Sequence, residues 1–306
     1  MQTQDSGHPQ ERHIIGGAVR YCGREFQVAE VEAIRRIITD HPNAGRTALS
    51  RMVCEELEWR RPNGGLKDMS CRVAMLRMQD DGLIRLPASQ RRNVGSNPRR
   101  PRRTPQGEPE PLCQVPAGAL TDLHLEVVTG TKMSPLWSEY MDRYHYLGYR
   151  AMAGAQLRYF ARAQGRIVGL LGFGASAWRL GDRDWFIGWT DEQRESRLQL
   201  VVNNARFLIL PWIRSRNLAS KLLGMATRRL ARDWDVRYAY RPVLVETFVE
   251  ATRFRATRYK AANWIWVGET WGRGKLDVHN RAALPVKSVW VYPLDKNFRR
   301  ILCGQS

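Results

Sequence analysis

The run RFLILPWIRSRNLASKLLGMATRRLARDW, residues 206–234, breaks an apolar, strand-like stretch at Pro211. It then passes through a basic loop and continues as a long amphipathic segment. A strand, a short cationic turn and a helix in that order can hold an acidic ligand. The first helical amides are unpaired and carry partial positive charge. Arg214, Ser215, Arg216, Asn217, Leu218, Ala219 and Ser220 would form that turn. The plain alternative is an ordinary connection whose arginines are merely solvated. His145, within YHYLGY, could shuttle a proton, or it could stack in the core between its tyrosines. Asp182, Asp184, Glu246, Glu250, Glu269 and Asp277 are numerous enough for a metal-dependent nuclease. Such sites need close clusters, which spacing alone does not establish. No H-E-x-x-H, Walker loop or dinucleotide fingerprint is present, and serine and cysteine nucleophile motifs are absent.

A formal net charge of +19 over 306 residues builds an attractive field for polyanions. Nucleic acid is the expected partner, DNA foremost, against the alternative of a basic protein that uses charge for solubility. Trp178, Trp185, Trp189, Trp264, Trp266 and Trp271 sit among arginines, where aromatic faces suit stacked bases. Most of these rings are expected in the core, with about a third facing solvent to stack on bases. GETWGRGKLD is the best candidate stretch, with Trp271, Arg273 and Lys275 at a glycine-rich strand end. The five cysteines share no CxxC spacing and six scattered histidines complete no zinc pattern, so no metal is expected. No stretch reaches the ~20 apolar residues of a membrane span. The N-terminus lacks the apolar core of a signal peptide, and a cytoplasmic location is expected.

The elements that must position these residues follow from period and punctuation. VAEVEAIRRIITD repeats apolar residues at three and four through Val28, Val31, Ile34, Ile37 and Ile38. TALSRMVCEELEW continues that period after a turn, and KDMSCRVAMLRMQDDG offers a third helix with Val73, Leu76 and Met78 apolar. LIRLPASQRR reads as a strand with a basic tip. Three short helices and a cationic wing make the pattern of a winged helix-turn-helix. Arg46, Lys67, Arg72, Arg77, Arg91 and Arg92 would then touch DNA, unless the segment is a helical bundle that docks on protein. Residues 1–26 read as an extension and 27–88 as this small domain. Residues 89–119 read as a basic flexible linker, whose Arg99, Arg100, Arg102 and Arg103 could neutralise phosphates. Residues 120–306 read as an α/β domain. It has a hairpin turning at Gln164–Gly165, a strand at DWFIGW, a helix starting at TDEQ, and a strand–helix–strand crossover late in the chain.

Two resemblances follow from these stretches. PWIRSRNLASKLL resembles the (Arg/Gln)-x-x-Gly-x-(Gly/Ala) loop of the GNAT acetyltransferase superfamily, with Arg214 first, Ala219 last and Asn217 in place of the middle glycine. Asn is the next most tolerant residue for positive φ. GRIVGLLGF and RYKAANW fit the same superfamily. The resemblance implies a GNAT-like mixed sheet, with acetyl-CoA or another acyl-CoA held at residues 214–220. It also implies Tyr259 as donor of a proton to a departing thiolate and Glu246 as acceptor of an amine's proton, the alternatives being a packed aromatic and a carboxylate paired with an arginine. More specifically, HYLGY, NNARFLILPW, NLASKLL, PVLVETFVE, YKAANW and GRGK, with RTALSRMVCEELEW and GLIRLP, resemble the Druantia anti-phage DruA family and its transposon-associated relatives. That resemblance implies nucleic-acid work in phage defence or mobile elements, with other defence or transposition proteins as partners. The expectation is therefore a nucleic-acid-binding protein with acyl-transferring or base-modifying activity. A catalytically silent DNA-binding adaptor is the alternative, and a metal nuclease a more distant one.

Overall fold

The computed structural model describes residues 18–60, 64–88, 100–152, 154–272 and 285–304. The chain divides into two compact units, Met1–Ser96 and Asn97–Ser306.

In the first unit, β1 (Val19–Tyr21) and β2 (Arg24–Phe26) form an antiparallel hairpin. Cys22 and Gly23 turn it at φ 53° and 77°, the backbone that a two-residue hairpin loop demands. Three helices follow: α1 (Val28–Asp40), α2 (Arg46–Glu56) and α3 (Asp68–Asp80). Tyr21 and Phe26 share a core with Ile34, Leu49, Val53 and Met75, so residues 19–26 pack as part of this unit instead of trailing from it. The apolar stripes differ in detail from those expected. Val28 is exposed and Ala33 lies inside, while α3 buries Cys71, Ala74, Met75 and Met78 and turns Val73 outward. Residues 57–67 separate α2 from α3, more than the three or four residues of a helix-turn-helix turn. Residues 83–88, expected as a wing strand, have no strand partner among the described residues. A lone strand has no ladder of its own to satisfy its backbone groups.

The second unit begins with β3 (His124–Val127), α4 (Ser134–Tyr144), β4 (Leu157–Ala163) and β5 (Arg166–Ala175). Gln164 and Gly165, at φ 51° and 72°, make the tight turn expected between the last two. Then come α5 (Gly181–Ile187), α6 (Asp191–Arg197), β6 (Val201–Ile209), α7 (Leu218–Tyr238) and β7 (Leu244–Glu250). The chain closes with α8 (Thr257–Lys260), β8 (Ile265–Glu269), β9 (Lys287–Pro293) and α9 (Phe298–Leu302). The seven strands of this unit are ordered β3-β4-β5-β6-β7-β9-β8, and every neighbouring pair is antiparallel except β6 and β7. Their parallel pairing requires the crossover that α7 supplies. Successive strand residues face opposite sides. Phe160 meets Tyr140 of α4 while the Tyr159 hydroxyl donates to Asp233 of α7, so the two helices cover opposite faces. This is the mixed sheet, with helices on both faces, that the sequence implies.

Two readings are corrected. DWFIGW is not a strand: α5 covers most of it, with Asp182 and Asp184 favourably placed in its first turn and Gly188 stopping it at φ 84°. Residues 100–119, expected as part of a flexible linker, lie as a strap along the second unit. Glu139 accepts from Thr104 N (2.8 Å) and Oγ1 (2.7 Å), and Tyr140 and Tyr144 donate to Gln106 O and Gly107 O (both 2.8 Å). Arg143 pairs with Glu108 (2.8 Å) and Arg166 with Glu110 (2.6 Å). Two acidic residues in an otherwise cationic segment were the sequence signal for this docking.

Candidate functional site

β6 and β7 pair over only three residues, from Val201↔Leu244 to Asn203↔Glu246, although both strands continue. They diverge where β6 carries a bulge: Gly172 of β5 opposes Arg206 and Phe173 opposes Asn204, leaving Ala205 unopposed. An extra residue bends its strand. Asn204 stitches the bulge, its Nδ2 donating to Gly172 O (3.3 Å) and Arg206 O (3.1 Å). Its Oδ1 accepts from the Tyr259 hydroxyl at 3.0 Å, and Thr247 Oγ1 of β7 lies 3.4 Å from that hydroxyl. A buried polar network thus spans the splay. Burial pushes the Tyr259 hydroxyl above the ordinary tyrosine range, so it keeps its proton at neutral pH.

The divergence leaves a cleft of about 160 Å³, lined among others by His145, Arg206, Arg258 and Tyr259. His145 ends α4, and its Nδ1 accepts from Leu147 N at 3.2 Å. Burial, together with Arg206 and Arg258, lowers its pKa to about 4, so the imidazole is neutral at physiological pH. His145 and Tyr259 are therefore brought together.

Glu246 is not among them. Its carboxylate is fully buried, takes Arg183 Nη1 at 2.8 Å on one oxygen and Ala177 N at 2.8 Å on the other. Burial pushes it upward against the pull of Arg183 and of that amide. Arg183, equally buried, also bonds Asp184 Oδ1 (2.8 Å) and Ala177 O (3.1 Å). With both oxygens committed and no exposed surface, Glu246 ties α5 to β7 and has no route to a substrate amine. Asp182 accepts from Glu269 N (2.8 Å), and Asp184 serves Arg183 and Trp189. Among the described residues no group of carboxylates, histidines or cysteines could hold a metal ion. Asp277 lies outside them.

The basic turn ends at Asn217, whose φ of 64° and ψ of 1° are left-handed and whose side chain makes no cap bond. Asn is thus standing in for glycine at a position that needs positive φ. Lys221 N bonds Asn217 O and Leu218 N bonds Ser215 O, which leaves Ala219 and Ser220 as first-turn amides of α7 with no partner among the described residues. A groove of about 430 Å³ opens beside them, between α7 and the end of α8. Of the seven expected residues only Asn217 and Ser220 line it. Leu218 is buried in the core, Ser215 Oγ is buried with no partner among the described residues, and Arg214 and Arg216 are exposed. Lys221, Gly224 and Arg228 line it instead, at helical spacing from Asn217, a pattern readable in the sequence as one small and basic face. The strap forms a second wall through Ala117 and Gly118. Cys113 N bonds Trp212 O, Arg214 N bonds Cys113 O, Ala117 N bonds Arg216 O, and Lys221 Nζ bonds Ala117 O. Part of the anion-binding potential of the turn is therefore spent within the protein.

The expected nucleic-acid contacts are scattered. Arg46 Nε donates to Pro87 O (2.9 Å) and Arg72 Nη1 to Thr47 Oγ1 (2.8 Å), bonds that hold the first unit together. Lys67 precedes α3, and Arg77 lies on its outward face with Met69 and Val73. Arg100, Arg102 and Arg103 are exposed. Arg91, Arg92, Arg99, Arg273 and Lys275 lie outside the described residues. Trp189 and Trp264 are buried, whereas Trp178, Trp185, Trp266 and Trp271 are exposed, a larger share than expected.

Solved structures similar to the chain include three acetyltransferases. Aminoglycoside acetyltransferase AAC(6')-Ib in complex with coenzyme A is 15% identical, TM-score 0.37, covering 56% of this chain and 95% of that one. An N-acetyltransferase from Staphylococcus aureus Mu50 is 14% identical, TM-score 0.30, covering 46% and 68%. A Bacillus subtilis acetyltransferase in complex with CoA is 8% identical, TM-score 0.32, covering 56% and 99%. At these TM-scores the likenesses carry no argument about ligand or chemistry. No curated protein matches the chain. The family model described as Druantia protein DruA matches residues 78–283, more than half of the chain and all of the strand splay and basic turn; the protein belongs to the DruA family.

Proposed function

We propose that this protein binds nucleic acid in phage defence or mobile-element biology and that its second unit takes an acyl-CoA in the groove beside α7. One observation supports this above the others: left-handed Asn217 and Ser220, whose amide has no partner among the described residues, line a groove that also carries Lys221 and Arg228. These residues fit a phosphate-bearing coenzyme, and the partnerless Ser215 Oγ is a further donor at the turn. The Arg214 amide, bonded to Cys113 O, is not available to it. When bound, an acyl-CoA supplies an activated thioester. The chain's own contribution is a protonated Tyr259 in the splay, to give a proton, and a neutral His145 lining the same cleft, whose Nδ1 accepts from Leu147 N and whose Nε2 therefore carries the proton as a hydrogen-bond donor. Calorimetric titration of the full chain with acetyl-CoA tests the reading. Binding that weakens on Arg228→Ala is expected, and no detectable binding at millimolar ligand would refute it.

A catalytically silent DNA-binding adaptor is the second reading. It is favoured by the commitment of the Tyr259 hydroxyl to Asn204 and by the strap over the turn. Both readings expect duplex binding that falls steeply with salt, as counterion release requires. Removing residues 1–96, and leaving the docked strap in place, is expected to abolish most of it. A 97–306 fragment that binds DNA as tightly as the whole chain would exclude the outward face of α3 as the DNA reader.

A further inference from the structure

We propose that the cleft between the diverging ends of β6 and β7 binds a nucleotide, with its phosphate on Arg206, Arg258 and Lys287 and its base at the Tyr146 rim. The cleft volume, about 160 Å³, is close to that of an engineered cavity that takes benzene. That suits one phosphate group inside, or one ring, and not a whole coenzyme. Tyr146 and Leu147 remain exposed at the mouth, where a base can lie against them.

The charges inside point to an anion. Arg206 is only part exposed, and burial holds its guanidinium below the ordinary arginine range. Its hydrogen bond is to its neighbour's carbonyl, Ala205 O, at 2.7 Å. The Arg258 guanidinium lies over the Phe207 and Phe254 rings, 5.2 and 5.4 Å from their centroids. Among the described residues no carboxylate pairs with Arg206, Arg258 or Lys287, although all three line the cleft. Glu250 is near enough for its charge to act on Tyr146, yet it forms no ion pair with them. A guanidinium withdrawn from water without a counter-ion is costly, and an incoming phosphate removes that cost with bidentate geometry. The same cations would repel an amine, which is itself a cation at neutral pH. Neutral His145 adds a hydrogen-bonding group and no competing charge. For catalysis, this proposal rests on the reading of the splay as the reacting centre. For binding, it stands without it.

The test uses the full chain and calorimetry with AMP, adenosine, a short 5'-phosphorylated oligonucleotide and the same oligonucleotide without its phosphate. Phosphorylated probes are expected to bind and their unphosphorylated counterparts to bind at least tenfold more weakly. Tighter binding of AMP would mark a free nucleotide as the ligand, and tighter binding of the oligonucleotide a strand end. Arg206→Gln and Arg258→Gln should each weaken the phosphorylated probes by tenfold or more at unchanged melting temperature. Should Arg206→Gln fail to fold, Lys287→Gln, on the cleft edge, carries the same expectation. Equal affinity for AMP and adenosine, no binding of either phosphorylated probe at millimolar concentration, or one-for-one displacement of AMP by acetyl-CoA would overturn the proposal. Nucleotide binding in a protein that ignores acetyl-CoA would leave the cleft assignment standing and refute acyl transfer alone.

Discussion

Replacing Glu246 with glutamine separates a structural carboxylate from a catalytic one. The substitution keeps an oxygen for Ala177 N but turns an amide NH₂ toward Arg183 Nη1, which now sits 2.8 Å from the carboxylate. Both side chains of the pair have no exposed surface, and among the described residues Arg183 would keep Asp184 as its remaining ion-pair partner. Removing one partner of a buried pair costs about 3–5 kcal/mol. Retention of the Asp184 contact and of two bonds to Ala177 O favours the lower part of that range. For a unit of this size each kcal/mol lowers the melting temperature by roughly 2–4 °C, so Glu246→Gln is expected to fall by about 6–12 °C. Arg183→Met should fall comparably. The double variant Arg183→Met/Glu246→Gln should lose less than the sum of the single ones, because neither charge of the pair is left facing a neutral partner and Asp184 keeps Arg194 at 3.8 Å, though Ala177 O still loses the bonds from Arg183. Thermal unfolding of the four proteins at one pH measures this cycle. A Glu246→Gln protein of unchanged melting temperature that loses its function in cells would refute the reasoning and return Glu246 to catalysis.

Other expectations follow from single residues. Asn217→Gly should be stable to within about 1 kcal/mol and bind acetyl-CoA at least as well, because glycine accepts the φ of 64° without strain; Asn217→Val should cost about 1–2 kcal/mol or more in unfolding experiments. His145 is held neutral in the fold with a pKa of about 4, below its value of 6.5 when free. The unfolded chain therefore binds more protons between those values, and stability should fall as pH drops from 6.5 toward 4, with a slope that His145→Gln reduces. If the two proteins share one pH–stability profile, the imidazole is not held neutral. Gly107→Ala would place a methyl group directly against Glu139 Oε1. It should cost about 1–3 kcal/mol and weaken acetyl-CoA binding by loosening the strap that walls the groove; unchanged stability and affinity would show that the strap is dispensable.

Local sequence determined the features that local sterics control. The helical periods of α1, α2 and α7, the Gln164–Gly165 turn and the positive φ of Asn217 depend on residues within a few positions, and each was legible there. The net charge of +19 was equally plain. Even so, DWFIGW read as a strand because its apolar residues fit either period, and only the α5 contacts with β8 and the Gly188 stop decided for helix. The pairing of Glu246 with Arg183 was hidden for a longer-range reason. The two residues lie 63 positions apart, and nothing in the spacing shows that both become fully buried together. The Ala205 bulge, the Asn204–Tyr259 bond across the splay and the docking of Cys113 and Ala117 on the basic turn are likewise products of register and packing. Pairings between distant segments are chosen by the burial and hydrogen-bond satisfaction of the whole sheet, so only the tertiary structure could assign them.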